Sequence, residues 1–146
     1  PGRGPCLRRN FGAVIVKNDT IISTGYVGAP RGRANCNELH YCPREKLQVP
    51  RGERYELCRS VHAEANAIIS AARRDMVGGT LYLVGRDART GELLSDATSC
   101  SMCRRMVINA GLSQVVIRRT ATEFEVVDVA DWVAEDDLLA PPPEQP

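Results

Sequence analysis

Segments typical of strands and helices alternate along the chain, and this order constrains the fold more than any other feature of the sequence. Residues 11–17 and Thr20–Tyr26 are rich in β-branched side chains and are joined by Asn18-Asp19, which predicts a hairpin. After an irregular stretch over 27–60, the pattern predicts a helix over 62–74, an apolar strand over 80–84, a helix over 100–110 that ends at Gly111, and a strand over Gln114–Arg118. This order predicts an α/β fold in which helices cross between strands.

The remaining segments complete a single predicted domain over residues 1–140. A polar insertion occupies 86–98, a weaker strand is predicted over 124–129, and a short acidic helix is predicted over 130–139. The proline-rich residues 141–146 are expected to be disordered. The sequence has no apolar stretch long enough to span a bilayer and no signal-peptide pattern, so we expect a cytoplasmic protein that does not bind membranes.

The charge is distributed unevenly along the chain. The 19 basic residues all lie within residues 1–119, whereas residues 120–146 contain 8 acidic residues and no Lys or Arg. The positive part of the chain could attract an anionic substrate such as a nucleotide, or the acidic segment could pack against it. No basic stripe with interleaved aromatic residues is visible, so we do not expect nucleic-acid binding.

Three potential metal ligands stand at the starts of the two main predicted helices. His62 begins the first helix, and Cys100 and Cys103 lie in the first turn of the second. Cysteines three positions apart share one face of a helix, and the helix N-terminus favours the thiolate form. One imidazole and two thiolates match a catalytic zinc site, which needs three protein ligands and one open position.

Glu64 follows His62 by two residues and is the candidate acid–base group. Zinc lowers the pKa of a bound water to near neutrality, and a neighbouring carboxylate can move the proton that is released. Each part has a simpler explanation when taken alone. A single Cys-x-x-Cys can be half of a structural zinc site or a redox pair, and a histidine at a helix start can be a cap. The combination at two helix starts favours the catalytic site.

With these residues the sequence resembles the deoxycytidylate deaminases, zinc hydrolases that convert dCMP to dUMP. The resemblance rests on HAEANAI at 62–68, on Cys100-Ser101-Met102-Cys103 and on GYVGAPRG at 25–32, and it extends over residues 6–118. It implies a three-layer αβα sandwich of the cytidine deaminase-like type, with a mixed central sheet and helices on both faces. It also implies a small-molecule nucleotide substrate and a homo-oligomer.

The resemblance further implies a set of substrate-binding residues. Asn66 and the loop that contains Gly25, Tyr26 and Val27 would line the nucleoside pocket, and the backbone of Ala63 would contact the pyrimidine edge. Arg31, beside a glycine, could bind a phosphate, although a solvated basic loop is the favoured explanation.

The sequence departs from the resembled pattern at three points. Val27 stands where an asparagine is usual, and it removes an amide that could bond a sugar hydroxyl. Ser99 replaces the proline that usually precedes Cys100, so the loop that enters the second helix is less rigid. The insertion over 86–98 lies close to the same loop. These departures affect substrate identity more than zinc hydrolysis.

Four further cysteines, Cys6, Cys36, Cys42 and Cys58, fall before the first main helix. Some members of the resembled family carry a second zinc here, and four thiolates would form a closed structural site that holds the long irregular segment. His40 is the alternative ligand. Scattered buried cysteines that behave as small apolar residues are the simpler explanation.

The sequence therefore predicts zinc-dependent hydrolytic deamination of a cytosine nucleotide, with dCMP as the first candidate. The same chemistry on another cytosine nucleoside or nucleotide, or on a modified pyrimidine, is the alternative that Val27 and the insertion suggest. A non-catalytic nucleotide-binding protein belongs to a different functional class, and Glu64 argues against it because a structural zinc site has no use for that carboxylate.

Overall fold

The centre of the protein is a mixed five-stranded sheet. The computed structural model describes residues 9–40, 42–49 and 60–135. The strands are β1 (Arg9–Lys17), β2 (Thr20–Tyr26), β3 (Thr80–Asp87), β4 (Gln114–Arg118) and β5 (Phe124–Asp128). They are arranged in the order β2-β1-β3-β4-β5, in which only the β3–β4 pair is parallel. The predicted hairpin is confirmed, and its two turn residues adopt the left-handed conformation that such turns require.

Six helices are found in the described part of the chain. They are α1 (Cys36–Leu39), α2 (Pro43–Lys46), α3 (Ala63–Ile69), α4 (Arg73–Met76), α5 (Ser101–Ala110) and α6 (Val129–Glu135). The predicted α/β class with its mixed sheet is confirmed. The single helix predicted over 62–74 is wrong, because it is divided into α3 and α4. Ser70 is the C-cap of α3, and its hydroxyl donates to the carbonyl of Asn66 at 2.9 Å. The chain leaves the helical conformation at Ala72, whose extended backbone is the N-cap of α4, so α4 begins as a separate helix.

The core lies between one face of the sheet and the helices α3 and α5. Leu81 and Leu83 of β3 and Val115 and Ile117 of β4 are almost fully buried there, together with side chains from both helices. On the opposite face, Tyr82 of β3 is 44% exposed and Val126 of β5 is 59% exposed.

The element bounds differ from the sequence predictions in three further places. Strand β3 continues to Asp87 and so includes the first residues of the predicted insertion. The segment over 27–60 contains the two short helices α1 and α2. The predicted acidic helix is described only as far as Glu135, and the proline-rich tail lies outside the described residues.

Among the helices that the structure describes, none has the length and apolar character required to cross a membrane.

Candidate active site

The three predicted metal ligands are brought together where α3 and α5 pack against each other. His62 is the N-cap of α3, Cys100 is the N-cap of α5, and Cys103 lies in the first turn of α5. The Nδ1 atom of His62 lies 3.4 Å from the Sγ atom of each cysteine. All three ligand atoms are within 4.8 Å of one another.

This arrangement fits a zinc ion. Zn–N and Zn–S bonds of about 2.0–2.3 Å in a tetrahedron separate the ligand atoms by roughly 3.5 Å, which agrees with the observed spacing. An imidazole with two thiolates is also a donor set that zinc favours, and three protein ligands leave the fourth position open.

The two cysteines interact strongly with each other. The pKa of Cys100 is lowered to about 4, mainly because the Cys103 thiol donates a hydrogen bond to its sulfur, and the His62 side chain lowers it further. The same bond, together with burial, raises the pKa of Cys103. The two thiols therefore share a proton that a bound metal ion would displace.

Glu64 lies in the first turn of α3 and is only 4% exposed. Burial raises the pKa of its carboxyl group, whereas a backbone hydrogen bond, the Ser99 hydroxyl and the His62 side chain act in the opposite direction. A carboxyl group in this position can hold and transfer a proton inside a site that is largely closed to water.

Sequence reasoning missed the anchoring of the loop that leads to Cys100. The Arg104 guanidinium on α5 donates to the carbonyl of Ser99 at 3.0 Å and stacks over the Trp132 ring of α6 at 5.1 Å. Arg104 therefore fixes the backbone at the position where the resembled pattern has proline. The spacing of five residues between Arg104 and Ser99 gave no signal, because only the folded turn brings them together.

The C-terminal end of the insertion over 86–98 is held by the first residue of β1 and by the residue that follows β4. Arg9 forms an ion pair with Asp96 at 2.9 Å, and Arg119 donates to the carbonyls of Ser95 and Ala97 and pairs with Glu125. These contacts fix the chain just before it enters the metal-ligand helix.

Several of the residues that the resemblance assigns to the substrate pocket lie where β2 packs against α3. Asn66 donates its amide to the carbonyl of Tyr26 at 2.6 Å, so it fastens the end of β2 to α3. A Cβ atom on Gly25 would lie 2.3 Å from the Ala63 carbonyl oxygen, which shows that β2 directly supports the first turn of α3. Ala63 itself is fully buried, and Val27 is 6% exposed.

Two of the assigned residues lie away from this contact. The side chain of Tyr26 is 64% exposed and, because side chains alternate along a strand, it lies on the sheet face opposite to that of Gly25. Arg31 is exposed in the turn after β2.

The four additional cysteines are only partly described. Cys36 and Cys42 are buried and form no disulfide, and His40 is exposed with a left-handed backbone. Cys6 and Cys58 lie outside the described residues. Among the residues that the structure describes, the three-ligand group of His62, Cys100 and Cys103 is the one cluster of potential metal ligands.

Comparison with known proteins agrees with this arrangement. The sequence profile of the cytidine and deoxycytidylate deaminase zinc-binding region matches residues 2–119. The chain belongs to the cytidine and deoxycytidylate deaminase family. The family assignment together with the His/Cys/Cys cluster identifies zinc as the metal of this site.

Relatives within the deaminase family differ in length. The deoxycytidylate deaminase of Mycobacterium phage D29 is 35% identical over 119 residues, which cover 78% of this chain and 81% of the phage protein. The deoxycytidylate deaminase of Schizosaccharomyces pombe is 35% identical over 114 residues, which cover 78% of this chain and 32% of the yeast protein. The chain thus spans about a third of the length of the yeast relative.

A solved structure has the same deaminase fold. The cytidine deaminase from Burkholderia pseudomallei superimposes with a TM-score of 0.50 at 20% identity, over 84% of this chain and 77% of that protein. At this identity the similarity establishes the fold.

Proposed function

We propose that this chain catalyses the zinc-dependent hydrolytic deamination of a cytosine nucleotide, with dCMP and water converted to dUMP and ammonia. One observation carries the proposal: the buried carboxyl group of Glu64 lies in the same helical turn that begins at His62, beside the thiols of Cys100 and Cys103. The deoxycytidylate deaminases among its relatives support the choice of dCMP.

In this proposal His62, Cys100 and Cys103 hold the metal ion. When bound, zinc supplies a Lewis acid and lowers the pKa of a water to near neutrality. Glu64 accepts a proton at its carboxylate and delivers it to the ring nitrogen next to the carbon that bears the amine. It then takes the proton of the hydroxyl that has added to that carbon and transfers it to the amino group, which leaves as ammonia while the carbonyl forms. The burial of Glu64 keeps bulk water away from these transfers.

Ammonia release from the zinc-loaded protein tests the proposal. The assay compares dCMP with CMP, deoxycytidine, cytidine and a 5-substituted dCMP, because the buried Val27 and the insertion are departures that can change the preferred substrate. The matched control is Glu64→Gln, which retains the metal ligands and the side-chain shape. We expect it to keep zinc and to lose at least ~100-fold in kcat.

Two outcomes would contradict the proposal. Absence of ammonia release from every cytosine compound by zinc-replete protein would exclude the deaminase activity. A Glu64→Gln variant with wild-type kcat would remove Glu64 from the reaction. Deamination of another cytosine compound in preference to dCMP would keep the chemistry and change the substrate.

We also propose a second, structural zinc bound by Cys6, Cys36, Cys42 and Cys58, with His40 as the alternative ligand. The support is that Cys36 and Cys42 are buried thiols at the starts of two neighbouring short helices, within a segment that has little other regular structure. Elemental analysis should find two zinc ions per chain. Cys42→Ser should release one ion and leave the other, and a single ion in metal-replete wild-type protein would exclude the second site.

Assembly into a homo-oligomer and a cytoplasmic location are the remaining parts of the proposal. The family supports the first, and the four free thiols in the described residues are typical of a reducing compartment, which supports the second. Analytical ultracentrifugation tests the assembly state.

A further inference from the structure

The Ser99 hydroxyl is a buried polar group that the fold leaves without a hydrogen-bond partner. Ser99 is 1% exposed, and none of the described residues provides an acceptor or donor for its Oγ atom at full hydrogen-bond geometry. Buried hydroxyls are nearly always paired, so one without a partner needs a specific explanation. Ser99 directly precedes Cys100, so this hydroxyl belongs to the loop that enters the metal-ligand helix.

The carboxyl group of Glu64 is the acceptor that lies beside this hydroxyl. Ser99 directly precedes Cys100, whose Sγ atom lies 3.4 Å from His62 Nδ1, and Glu64 lies two residues beyond His62 in the first turn of α3, so both side chains lie where the two helix starts pack together. The hydroxyl also lowers the pKa of the carboxyl group without forming a full hydrogen bond to it. Glu64 is itself buried at 4% exposure, so water competes little for its oxygens. A hydrogen bond between a hydroxyl and a charged carboxylate is stronger than a bond between neutral groups.

The backbone of Ser99 is held in position by a residue of α5. Arg104 binds the Ser99 carbonyl, and its guanidinium packs over Trp132, which joins α5 to α6. The carbonyl of Ser99 is therefore engaged on the α5 side, while its hydroxyl remains available on the side of Glu64. Proline at this position, as in the resembled pattern, would have no hydroxyl to offer.

We propose that Ser99 is a positioning residue whose hydroxyl donates to the Glu64 carboxylate and holds it in the orientation needed for proton transfer. The expected effect on kcat rests on the proposed deaminase function. The expected geometry does not depend on activity: in the zinc-loaded protein, Ser99 Oγ lies about 2.5–3.0 Å from a Glu64 carboxylate oxygen. Ser99 acts through Glu64 and does not touch the reacting atoms.

The kinetic test compares Ser99→Ala with Ser99→Thr in zinc-loaded protein. Ser99→Ala should lower kcat about tenfold, the loss expected for one hydrogen bond to a charged group, while KM stays within about twofold. Ser99→Thr keeps the hydroxyl and should recover kcat to within about threefold of the wild type. Zinc content and melting temperature are measured for each variant, so that a loss of fold or metal is not mistaken for the predicted effect.

Ser60→Ala is the matched control. Ser60 is also a buried serine whose hydroxyl has no partner among the described residues, and it precedes His62 by two positions. Its removal should leave kcat within about twofold of the wild type. An equal loss of kcat in both alanine variants, or a Ser99→Ala variant with wild-type kcat, would overturn the proposal.

A crystal structure of the zinc-loaded protein separates this inference from the proposed function. If no cytosine compound is deaminated, the function fails, and the position of Glu64 still decides the role of Ser99. A Ser99 Oγ–Glu64 distance beyond about 3.5 Å in the wild type, or an unchanged Glu64 side chain in Ser99→Ala, would overturn the inference.

Discussion

Replacement of Gly25 by alanine should displace the helix that carries His62 and Glu64. A Cβ atom at this position would lie 2.3 Å from the Ala63 carbonyl oxygen and 2.4 Å from the Ala67 amide nitrogen, whereas ordinary contact begins at 3.4 Å. Both neighbours are backbone atoms of α3, so side-chain rotation cannot relieve the overlap. The helix must therefore move away from β2 by about 1 Å.

Two measurable losses follow from this displacement. Overpacking of a close contact costs about 1–3 kcal/mol in the free energy of unfolding, which urea denaturation measures. A shift of ~1 Å in groups that position a reaction can cost roughly 100-fold in rate, so kcat of the zinc-loaded variant should fall far more than its stability suggests.

Gly91→Ala is the control for a loss of stability without displacement of α3. Gly91 has a φ of +73°, and nothing lies within 4 Å of its would-be Cβ atom. The left-handed backbone should cost roughly 1–2 kcal/mol, and kcat should be unchanged. Wild-type stability and kcat in Gly25→Ala would refute the argument, because they would show that β2 and α3 do not make the close contact.

Three further variants test other contacts. Cys103→Ser should lose the catalytic zinc, since a hydroxyl is a much poorer ligand than a thiolate; stoichiometric zinc at that site by elemental analysis would contradict this. The backbone amides of Thr90 and Arg89 donate to the Asp87 carboxylate and hold its pKa below the ordinary value of 3.8. These bonds therefore stabilise the folded protein above pH 3.8, and the stabilisation is lost as the pH falls through the lower pKa of the folded state. Asp87→Ala should therefore lower the urea midpoint at pH 7, with a difference from the wild type that narrows in acid; a difference independent of pH would argue against this cause. Val27→Asn places an amide at a position that is 6% exposed and should cost about 1–3 kcal/mol by the same denaturation assay; an unchanged urea midpoint would contradict this.

The sequence predicted the elements whose signals are local. The strand over Gln114–Arg118, the hairpin turn and the helix end at Gly111 each depend on neighbouring residues, and the structure has all three. The break at Ser70 was missed because the apolar spacing continues through it. The extended backbone at Ala72 separates the two helices, and the periodicity of apolar residues does not register a change at a single backbone position.

In the candidate site, too, only the features with a local sequence signal could be predicted. The ligand triad and Glu64 could be predicted because their residue types and spacing match a requirement of zinc chemistry. The roles of Gly25 and Asn66 could not be obtained in this way, since both depend on how closely β2 approaches α3. The sequence also gave no indication that Arg104 donates a hydrogen bond to the Ser99 carbonyl, because this contact forms only when the N-terminus of α5 is folded.

The separation of the metal ligands along the chain determines when zinc can bind during folding. His62 and Cys100 are 38 residues apart, and the segment between them contains β3, which pairs with β1 in the sheet. In an unfolded chain, closing such a loop opposes metal binding, so we expect the complete site to form together with the sheet. Zinc should then slow unfolding more than it accelerates folding. We expect the chain to differ in this respect from small zinc fingers, in which the metal ion drives folding.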